Sequence, residues 1–318
     1  MKFLKATPAN ILEAAAVIQA GGLVAFPTET VYGLGADALN PIACAKIFEA
    51  KQRPRFDPII VHVSSVEQAG TLFKTIPEQA EQLIAKFWPG PLTLVLPKTD
   101  IVPDIVTAGF DTVAVRMPSH PVAMELVQDA GTPIAAPSAN PFGYLSATTA
   151  EHVRNQLGDR VDVIIDGGPS TIGVESTILK IGNPPILLRP GGLPLEAIEE
   201  VIGTVELAPP TSDAPEAPGQ LKSHYAPRTP LTILEDPAAI PTDKQVGYLA
   251  FSTPNQELDV AAIEVLSTTG DLREAAANLF SSLHRLDAAG LELIVAEPVP
   301  EEGLGRAIMN RLRKAATF

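Results

Sequence analysis

Apolar residues recur along this chain with two spacings, one typical of helices and one typical of buried strands. Helical spacing begins after Thr7-Pro8 and ends at Gly21-Gly22, which are common start and stop signals. Further helices are predicted at residues 41–50, 77–88 and 149–157, the first capped by Asn40 and the last by Thr148. Short apolar runs predict strands at residues 23–26, 59–63, 92–96, 112–117, 133–137, 161–165, 178–181 and 186–188.

The order of these elements predicts two domains. Helices alternate with strands, but several strands follow one another directly, which favours an α/β domain with a twisted, mixed sheet over residues 1–203. Residues 204–230 are rich in proline and lack periodicity, which is typical of a linker. Residues 231–318 predict a smaller, Rossmann-like αβ domain. Its strands are predicted at residues 231–234, 246–251, 262–266 and 291–296, and its helices carry Leu272, Ala276, Leu279, Leu283, Leu286 and Leu304, Ile308, Leu312.

The stretch KQRPRFDPIIVH, residues 51–62, combines two cations with a histidine that interrupts an apolar strand. Pro54 and Pro58 favour extended backbone before them, so we expect a non-helical segment that directs Lys51 and Arg53 to the same side. Together with His62, these side chains suit an anion. A basic surface turn before a core strand explains the same residues, and from this stretch alone both interpretations stay open.

Composition narrows the classes of function. The chain is 46% hydrophobic and has a formal net charge of −14. That charge disfavours sequence-independent nucleic-acid binding, which relies on basic surface, and small anionic ligands are the better expectation. A single cysteine, Cys44, excludes an intramolecular disulfide and a cysteine-based metal site. The sequence shows no signal peptide and no membrane-spanning stretch, so we expect a soluble cytoplasmic protein.

Several common catalytic motifs are missing. The sequence has no GxxxxGK[ST] phosphate loop, no HExxH, GxSxG or CxxC pattern, and no GxGxxG turn in its C-terminal part. Chemistry must therefore come from loops dispersed along the chain. One such loop is predicted at residues 27–37, PTETVYGLGAD, where Gly33 and Gly35 would let the backbone approach a ligand closely.

Taken together, these loops resemble the YrdC/Sua5 family. Seven segments carry the resemblance over residues 8–203, namely FPTETVYGLGAD, KQRPRFDPI, WPGPLTLVL, TVAVRMPSHP, PIAAPSANPFGYLSAT, GVESTI and LLRPGG. The segment SHYAPRTPL and the αβ unit that follows it resemble the Sua5 branch, which adds a second domain. The resemblance therefore covers nearly the whole chain and rests on independent motifs.

This resemblance implies a threonylcarbamoyl-AMP synthase, which converts L-threonine, bicarbonate (or CO2) and ATP into threonylcarbamoyl-AMP and pyrophosphate. It implies Mg²⁺ as cofactor, carried by the ATP phosphates and without an assigned protein ligand. The product would serve the t6A37 modification of tRNA through a downstream tRNA threonylcarbamoyl transferase machinery. No membrane and no stable direct nucleic-acid binding are implied.

The resemblance also implies roles for single residues. The family's KxR…SxN signature is matched by Lys51, Arg53, Ser138 and Asn140, the expected catalytic residues. A lysine and an arginine suit a triphosphate whose charge shifts as its α-phosphorus is attacked. The implied ATP contacts are Lys51, Arg53, Asp57, Thr112, Ser138, Asn140, Ser146, Arg189 and Tyr225. The implied threonine contacts are Thr30, His62, Arg116, Ala136 and Ser176, with Arg116 as partner of the carboxylate.

Asp57 departs from the family pattern, which commonly has asparagine at this position. A carboxylate beside a triphosphate is repelled unless it binds magnesium, pairs with Arg53 or Arg55, or turns away. In two-domain relatives the linker folds over the site, so we expect His224 and Tyr225 to touch the nucleotide.

Three rival interpretations stay open. An RNA-binding, non-enzymatic module of the same fold conflicts with the net charge and with the complete KxR…SxN set. A carbamoyl-transfer enzyme for hydrogenase maturation would need zinc-binding cysteines and an acylphosphatase domain, and the sequence has neither. A regulatory role for the C-terminal unit is the third, and the sequence does not decide on it.

Overall fold

The computed structural model describes residues 1–54, 56–209, 217–219, 224–236, 239–255 and 258–316. Arg55 and parts of the predicted linker lie outside the described residues. The N-terminal strands are β1 (Lys2–Lys5), β2 (Val24–Phe26), β3 (Gly33–Asp37), β4 (Val61–His62), β5 (Leu92–Pro97), β6 (Thr112–Arg116), β7 (Ile134–Ala135), β8 (Val163–Asp166), β9 (Thr177–Lys180), β10 (Ile186–Arg189) and β11 (Glu206–Leu207). The helices there are α1 (Pro8–Gln19), α2 (Pro41–Lys51), α3 (Val66–Leu72), α4 (Glu78–Phe87), α5 (Asp104–Thr107), α6 (Pro121–Ala130), α7 (Ala150–Leu157) and α8 (Leu195–Ile202).

Among the described residues, these eleven strands form one mixed sheet. Its strand order is β1-β8-β2-β3-β7-β4-β6-β5-β9-β10-β11. β2 pairs parallel with β8 but antiparallel with β3, and β6 pairs parallel with β4 but antiparallel with β5. The predicted mixed α/β sheet is thus confirmed. It extends to β11, just beyond the boundary predicted at residue 203.

Alternation along the central strands buries apolar side chains on both faces of this sheet. In β8, Val163 and Ile165 join a core cluster with α1 and α6, whereas Ile164 joins a second cluster that contains Ile47 of α2. A sheet covered by helices on both faces has little room for polar side chains. Buried polar groups are therefore informative, and they collect around one cavity described below.

Capping side chains explain where two predicted helices begin. Asn40 Oδ1 accepts hydrogen bonds from the backbone N–H groups of Ile42 and Ala43 at 3.0 and 3.2 Å, so α2 starts at Pro41 as expected. The cap predicted for α7 is wrong by one residue. Thr149 Oγ1 accepts from the N–H of His152 at 3.2 Å, while the hydroxyl of Thr148 lies 3.0 Å from Ser281 Oγ.

The prediction that residues 51–62 cannot be helical is wrong at Lys51, which is the last residue of α2. Proline restricts only the residue before it, so Pro54 leaves Lys51 free to be helical. Gln52 follows as the C-cap with a left-handed φ of 54°, and this turn replaces the alternation expected between Lys51 and Arg53.

Two further predictions need correction. The strand predicted at 59–63 is regular only over Val61–His62, because the N–H of Ile59 bonds to the carbonyl of Val106 outside the sheet. The loop predicted at 27–37 contains strand β3, which pairs with β2. The sequence pattern did not indicate β1, α3, α5, α6, α8 and β11.

The C-terminal part is a second, fully parallel sheet. Its elements are β12 (Leu231–Ile233), β13 (Val246–Ala250), β14 (Ala262–Val265), α9 (Leu272–Asp287), β15 (Leu293–Ala296) and α10 (Gly305–Ala315). Strand order is β12-β15-β13-β14. Asp271 caps α9 by accepting from the N–H groups of Arg273 and Glu274. No helix in the described ranges is both long and apolar enough to cross a bilayer.

The two sheets are joined by a shared hydrophobic cluster. Val31 and Val174 of the N-terminal part pack with Leu279 and Phe280 of α9. Close approach requires glycine at position 173, because a Cβ there would lie 2.3 Å from the carbonyl oxygen of Ala276. Helix α9 therefore rests directly on the segment that precedes β9, which contributes to the cavity.

Candidate active site

A polar cavity lies where several strands of the large sheet begin or end. In register, His62 at the end of β4 pairs with Arg116 at the end of β6. Ser138 bridges to Gly33 at the start of β3, and Arg189 ends β10. The cavity is lined by Thr28, Thr30, Val31, Tyr32, Gly33, Arg53, Ile60, His62, Arg116, Ala136, Pro137, Ser138, Glu175, Ser176, Arg189, Pro218, Gly219, His224 and Tyr225.

All five residues predicted to contact threonine line this cavity. Arg116 is 3% exposed in its side chain, its Nη1 donates to Thr30 Oγ1 at 2.8 Å, and its Nη2 lies 3.4 Å from Glu29 Oε2. Burial, and then the charge of Arg116, hold the pKa of His62 well below its ordinary value, so this ring is neutral. Ala136 and Ser176 complete the set.

Arg189 and Ser176 form a fixed pair in the cavity lining. Arg189 Nη2 donates to the carbonyl of Ser176 at 2.9 Å, and Ser176 Oγ lies 2.8 Å from Thr93 Oγ1. Both side chains are buried. Their position is therefore set by backbone and core contacts, which leaves Ser176 and the remaining arginine N–H groups in a defined orientation towards the cavity.

Arg53 lines the cavity, and Asp57 is its buried partner. Arg53 Nη2 lies 2.8 Å from Asp57 Oδ2, with side-chain exposures of 3% and 0%. The guanidinium also donates to the carbonyls of Asp57 and Pro58 at 3.2 and 2.8 Å. Burial raises the pKa of Asp57, against the opposing charges of Arg53 and Lys51. Of the options for Asp57, the structure shows pairing with Arg53, while Arg55 lies outside the described residues.

Lys51 does not line the cavity but holds the turn that does. Its Nζ donates to the carbonyl of Ser138 at 2.5 Å and to the carbonyl of Asn140. Burial, followed by repulsion from Arg53, lowers the pKa of Lys51 well below its ordinary value. Asn140 Nδ2 in turn donates to the carbonyls of Pro141 and Tyr144, both at 2.9 Å. In this closed arrangement, Lys51 and Asn140 support Ser138.

Two other predicted ATP contacts are not at the cavity wall. Ser146 is buried and donates its hydroxyl to Glu175. Thr112 begins β6, at the end opposite Arg116, and four residues of strand separate the two Cα atoms by about 13 Å. The structure thus brings together Arg53, Ser138, Arg189 and Tyr225, and leaves Lys51, Asp57, Thr112, Asn140 and Ser146 outside the lining.

Pro218, Gly219, His224 and Tyr225 close the cavity, and we call residues 217–219 and 224–226 the lid segment. It is fastened by the N–H of Ala226, which donates to the carbonyl of Gly143 at 2.8 Å. Tyr225 is 1% exposed and has a φ of 65°, which is unusual for a tyrosine. The space left beneath the lid segment is only about 40 Å³, enough for a few waters.

Sequence reasoning missed three residues around this cavity. Glu175 lines it, Glu29 lies behind Arg116, and Arg311 reaches Glu175 from the C-terminal part at 2.7 Å. A signal for Arg311 exists in the sequence, since it stands on the same face of α10 as Ile308 and Ala315. An arginine on an apolar helix face is buried only when it is paired.

Comparison with known proteins gives consistent matches over the whole chain. The Sua5/YciO/YrdC family model, described as "Telomere recombination", matches residues 16–191. A second model, "Threonylcarbamoyl-AMP synthase, C-terminal domain", matches residues 193–317. Threonylcarbamoyl-AMP synthases of Pyrococcus abyssi and Bacillus subtilis are 48% and 45% identical, each covering 96% of this chain and 93% of the relative. The crystal structure of P. abyssi Sua5 complexed with L-threonine superimposes with a TM-score of 0.92 at 45% identity, covering 99% of this chain and 97% of that one.

With these matches, the mixed sheet, the parallel second sheet and the arginine-lined cavity define a two-domain enzyme that uses ATP for nucleotidyl transfer. The chain belongs to the threonylcarbamoyl-AMP synthase family, in its two-domain Sua5 form. Its activity is the synthesis of threonylcarbamoyl-AMP. The family, the fold class and the activity implied by the sequence motifs are confirmed.

Proposed function

We propose that the lid segment moves away to enlarge the cavity, which then binds L-threonine and the triphosphate of ATP side by side and joins them through bicarbonate or CO2. The observation that carries this proposal is the placement of Arg116, Arg53 and Arg189 around one closed space that also contains Thr30 and Ser176. Three buried guanidinium groups are suited to one carboxylate and several phosphates.

The threonine side of the cavity is centred on Arg116. The carboxylate of threonine would bind this guanidinium, which in the closed structure contacts Thr30 and Glu29. Thr30 and Ser176 then supply hydroxyl groups for the substrate's amine and hydroxyl. A neutral His62 adds no second positive charge, so a protonated substrate amine is not repelled there.

The nucleotide side is formed by Arg53, Ser138, Arg189 and Tyr225. Arg53 and Arg189 are fixed by backbone carbonyls and are therefore preorganised for phosphate oxygens. Lys51 acts in this proposal through the Ser138–Asn140 turn that it holds. ATP contacts by Asp57, Thr112, Asn140 and Ser146 stay predictions, because these side chains bond to protein groups or stand away from the cavity.

The reaction follows from these positions in two steps. The threonine amine first loses its extra proton to solvent. It then attacks bicarbonate with release of water, or CO2 with release of a proton, and forms a carbamate. A carbamate oxygen then attacks the α-phosphorus in line, the bond to the β-phosphate oxygen breaks, and pyrophosphate leaves. Arg53 and Arg189 stabilise the shifting phosphate charge, and closure of the lid segment keeps water from the labile carbamate. We assign no general base.

Mg²⁺ fits this site as a companion of ATP. Among the described residues, no group of three or more His, Cys, Asp or Glu is arranged to hold a metal ion. The nearby carboxylates of Asp57, Glu175 and Glu29 each face an arginine. The ATP phosphates would therefore hold Mg²⁺, which neutralises phosphate charge during the transfer.

The enzyme in this proposal works in the cytoplasm, and its product is used for the t6A37 modification of tRNA. Threonylcarbamoyl-AMP is a reactive mixed anhydride, so its threonylcarbamoyl group must be transferred soon after the product forms. We propose that a tRNA threonylcarbamoyl transferase machinery receives it. Direct stable binding of nucleic acid is not part of this proposal, since the net charge of −14 disfavours it.

The test is to incubate the chain with ATP, Mg²⁺, bicarbonate and L-threonine and to measure pyrophosphate. We expect release that requires both threonine and bicarbonate, together with formation of threonylcarbamoyl-AMP. Release that does not depend on threonine would overturn the proposal. A salt-sensitive shift of RNA without ATP turnover would favour an RNA-binding module instead.

A further inference from the structure

Glu175 is a carboxylate in the wall of a cavity proposed to bind a triphosphate. Its side chain is 7% exposed, and it accepts a hydrogen bond from the hydroxyl of Ser146. Arg189 donates to the carbonyl of the next residue, Ser176, at 2.9 Å, so Glu175 lies beside an arginine of the nucleotide side. A buried carboxylate at this position repels phosphate unless another group neutralises it.

The neutralising group comes from the second domain. Arg311 of α10 is fully buried, and its Nε donates to Glu175 Oε2 at 2.7 Å. Its Nη1 donates to the carbonyl of Pro190 at 3.0 Å, next to Arg189. The same guanidinium lies 4.8 Å from the centre of the Tyr225 ring, within range of a cation–π contact.

Both groups are charged in the folded protein. Burial raises the pKa of Glu175, but Arg311 and Arg189 together hold it below its ordinary value. For Arg311, burial alone would lower the pKa, but Tyr225 and Glu175 raise it above its ordinary value. The contact is therefore an ion pair that bridges the domains, next to the cavity and beneath the lid tyrosine.

We propose that Arg311 is a positioning residue for catalysis. It binds the carboxylate of Glu175, so that this charge does not oppose ATP, and supports the ring of Tyr225 in the lid segment. The second domain thus completes the nucleotide side of an active site whose other residues belong to the first domain and the linker. This inference rests on the proposed function of the cavity.

The experiment compares Arg311→Met, Glu175→Gln and the double variant with the unsubstituted chain. Met has a similar length but no charge, so Arg311→Met leaves Glu175 buried and unpaired. We expect the KM for ATP to rise about tenfold or more, while the KM for threonine changes little. In the double variant, Glu175→Gln removes the repelling charge and should restore most of the ATP affinity.

Arg306→Met is the matched control. Arg306 is on the same helix and also bridges the domains, by donating to Glu196 at 3.0 Å, but this pair is partly exposed and neither residue lines the cavity. Its KM for ATP should stay unchanged. Arg311→Lys, which keeps the charge, should lie between Arg311→Met and the unsubstituted chain.

Three outcomes overturn the inference. One is an unchanged KM for ATP in Arg311→Met, and another is equal loss in Arg306→Met. The third is failure of Glu175→Gln to restore ATP affinity, which would indicate direct contact of Arg311 with the nucleotide. If Arg311→Met does not fold, the double variant, which has no unpaired buried charge, is measured instead. A KM for ATP close to that of the unsubstituted chain supports the inference, and a KM raised about tenfold or more overturns it. Lack of threonine-dependent pyrophosphate release in the unsubstituted chain would instead refute the proposed function.

Discussion

Replacing Asp57 with asparagine tests whether this carboxylate competes with ATP for Arg53. The two side chains form an ion pair of 2.8 Å with exposures of 3% and 0%. Removing one partner of a buried pair costs about 3–5 kcal/mol, because the other charge stays buried without compensation. Asparagine fills the same volume, and Arg53 keeps its bonds to the carbonyls of Asp57 and Pro58. We therefore expect the ligand-free protein to lose about 3 kcal/mol of unfolding free energy.

Although Asp57→Asn should be less stable without ligand, it should bind ATP more tightly than the unsubstituted chain. A triphosphate offers Arg53 the negative charge that Asp57→Asn removes, so the nucleotide no longer has to displace a carboxylate. One charged hydrogen bond contributes about 1.5 kcal/mol or more, which corresponds to roughly a tenfold lower KM for ATP. The Mg²⁺ concentration that gives half-maximal rate should not change, because Asp57 faces Arg53.

The assay combines thermal denaturation, with and without ATP, and pyrophosphate release at varied ATP and Mg²⁺. Asp104→Asn is the matched control, since Asp104 pairs with Lys98 at 2.6 Å but is 81% exposed. Such a surface pair contributes about 1 kcal/mol or less. A loss of stability in Asp57→Asn no larger than that in Asp104→Asn would refute a stabilising buried pair of Asp57 and Arg53. A raised Mg²⁺ requirement would instead make Asp57 a metal ligand.

Three further changes have defined outcomes. Arg116→Gln should raise the KM for threonine by about thirtyfold or more, since it removes a buried charged partner worth about 2–5 kcal/mol, and calorimetry should show unchanged ATP binding. Deleting residues 219–228 removes His224 and Tyr225 from the cavity and should raise the KM for ATP sharply; unchanged steady-state kinetics would contradict a lid. Burial, and then His284, lower the pKa of His152 to about 3, so stability should fall as the pH drops below about 6.5. The loss of unfolding free energy reaches about 2 kcal/mol at pH 5, and less after solvent screening. Urea denaturation at pH 7 and pH 5 should show a smaller loss in His152→Phe.

Strands with strong apolar runs were predictable from the sequence, because burial on both faces leaves an unambiguous pattern. Strand β3 was not, since Gly33 and Gly35 are typical of loops. The reason for glycine there is packing: a Cβ at position 35 would lie 2.7 Å from Ile134 Cγ2 and 2.8 Å from Phe26 Cε1. Only the neighbouring strands show that this glycine belongs to a sheet.

The cavity residues of the threonine side were predictable from the sequence, whereas only part of the predicted ATP contacts line the cavity and the hydrogen-bond partners were not predictable. Arg116 ends β6, whereas Thr30 and Ser176 lie in separate loops, and family motifs were enough to place the three together. The support that Lys51 gives to the Ser138 turn depends on the left-handed conformation of Gln52. The sequence did not predict this conformation, because neither glycine nor proline marks the turn at that position. Partners of buried charges depend on tertiary packing, which local patterns do not report.

The bridge from Arg311 to Glu175 also has a consequence for the timing of synthesis on the ribosome. Arg311 follows Glu175 by 136 residues, so translation at about 5–20 residues per second separates the two by roughly 7 to 27 seconds. During that interval the large sheet can fold, while the nucleotide pocket still presents an unneutralised carboxylate. On the proposal above, a nascent chain would therefore acquire its scaffold before it acquires its full affinity for ATP.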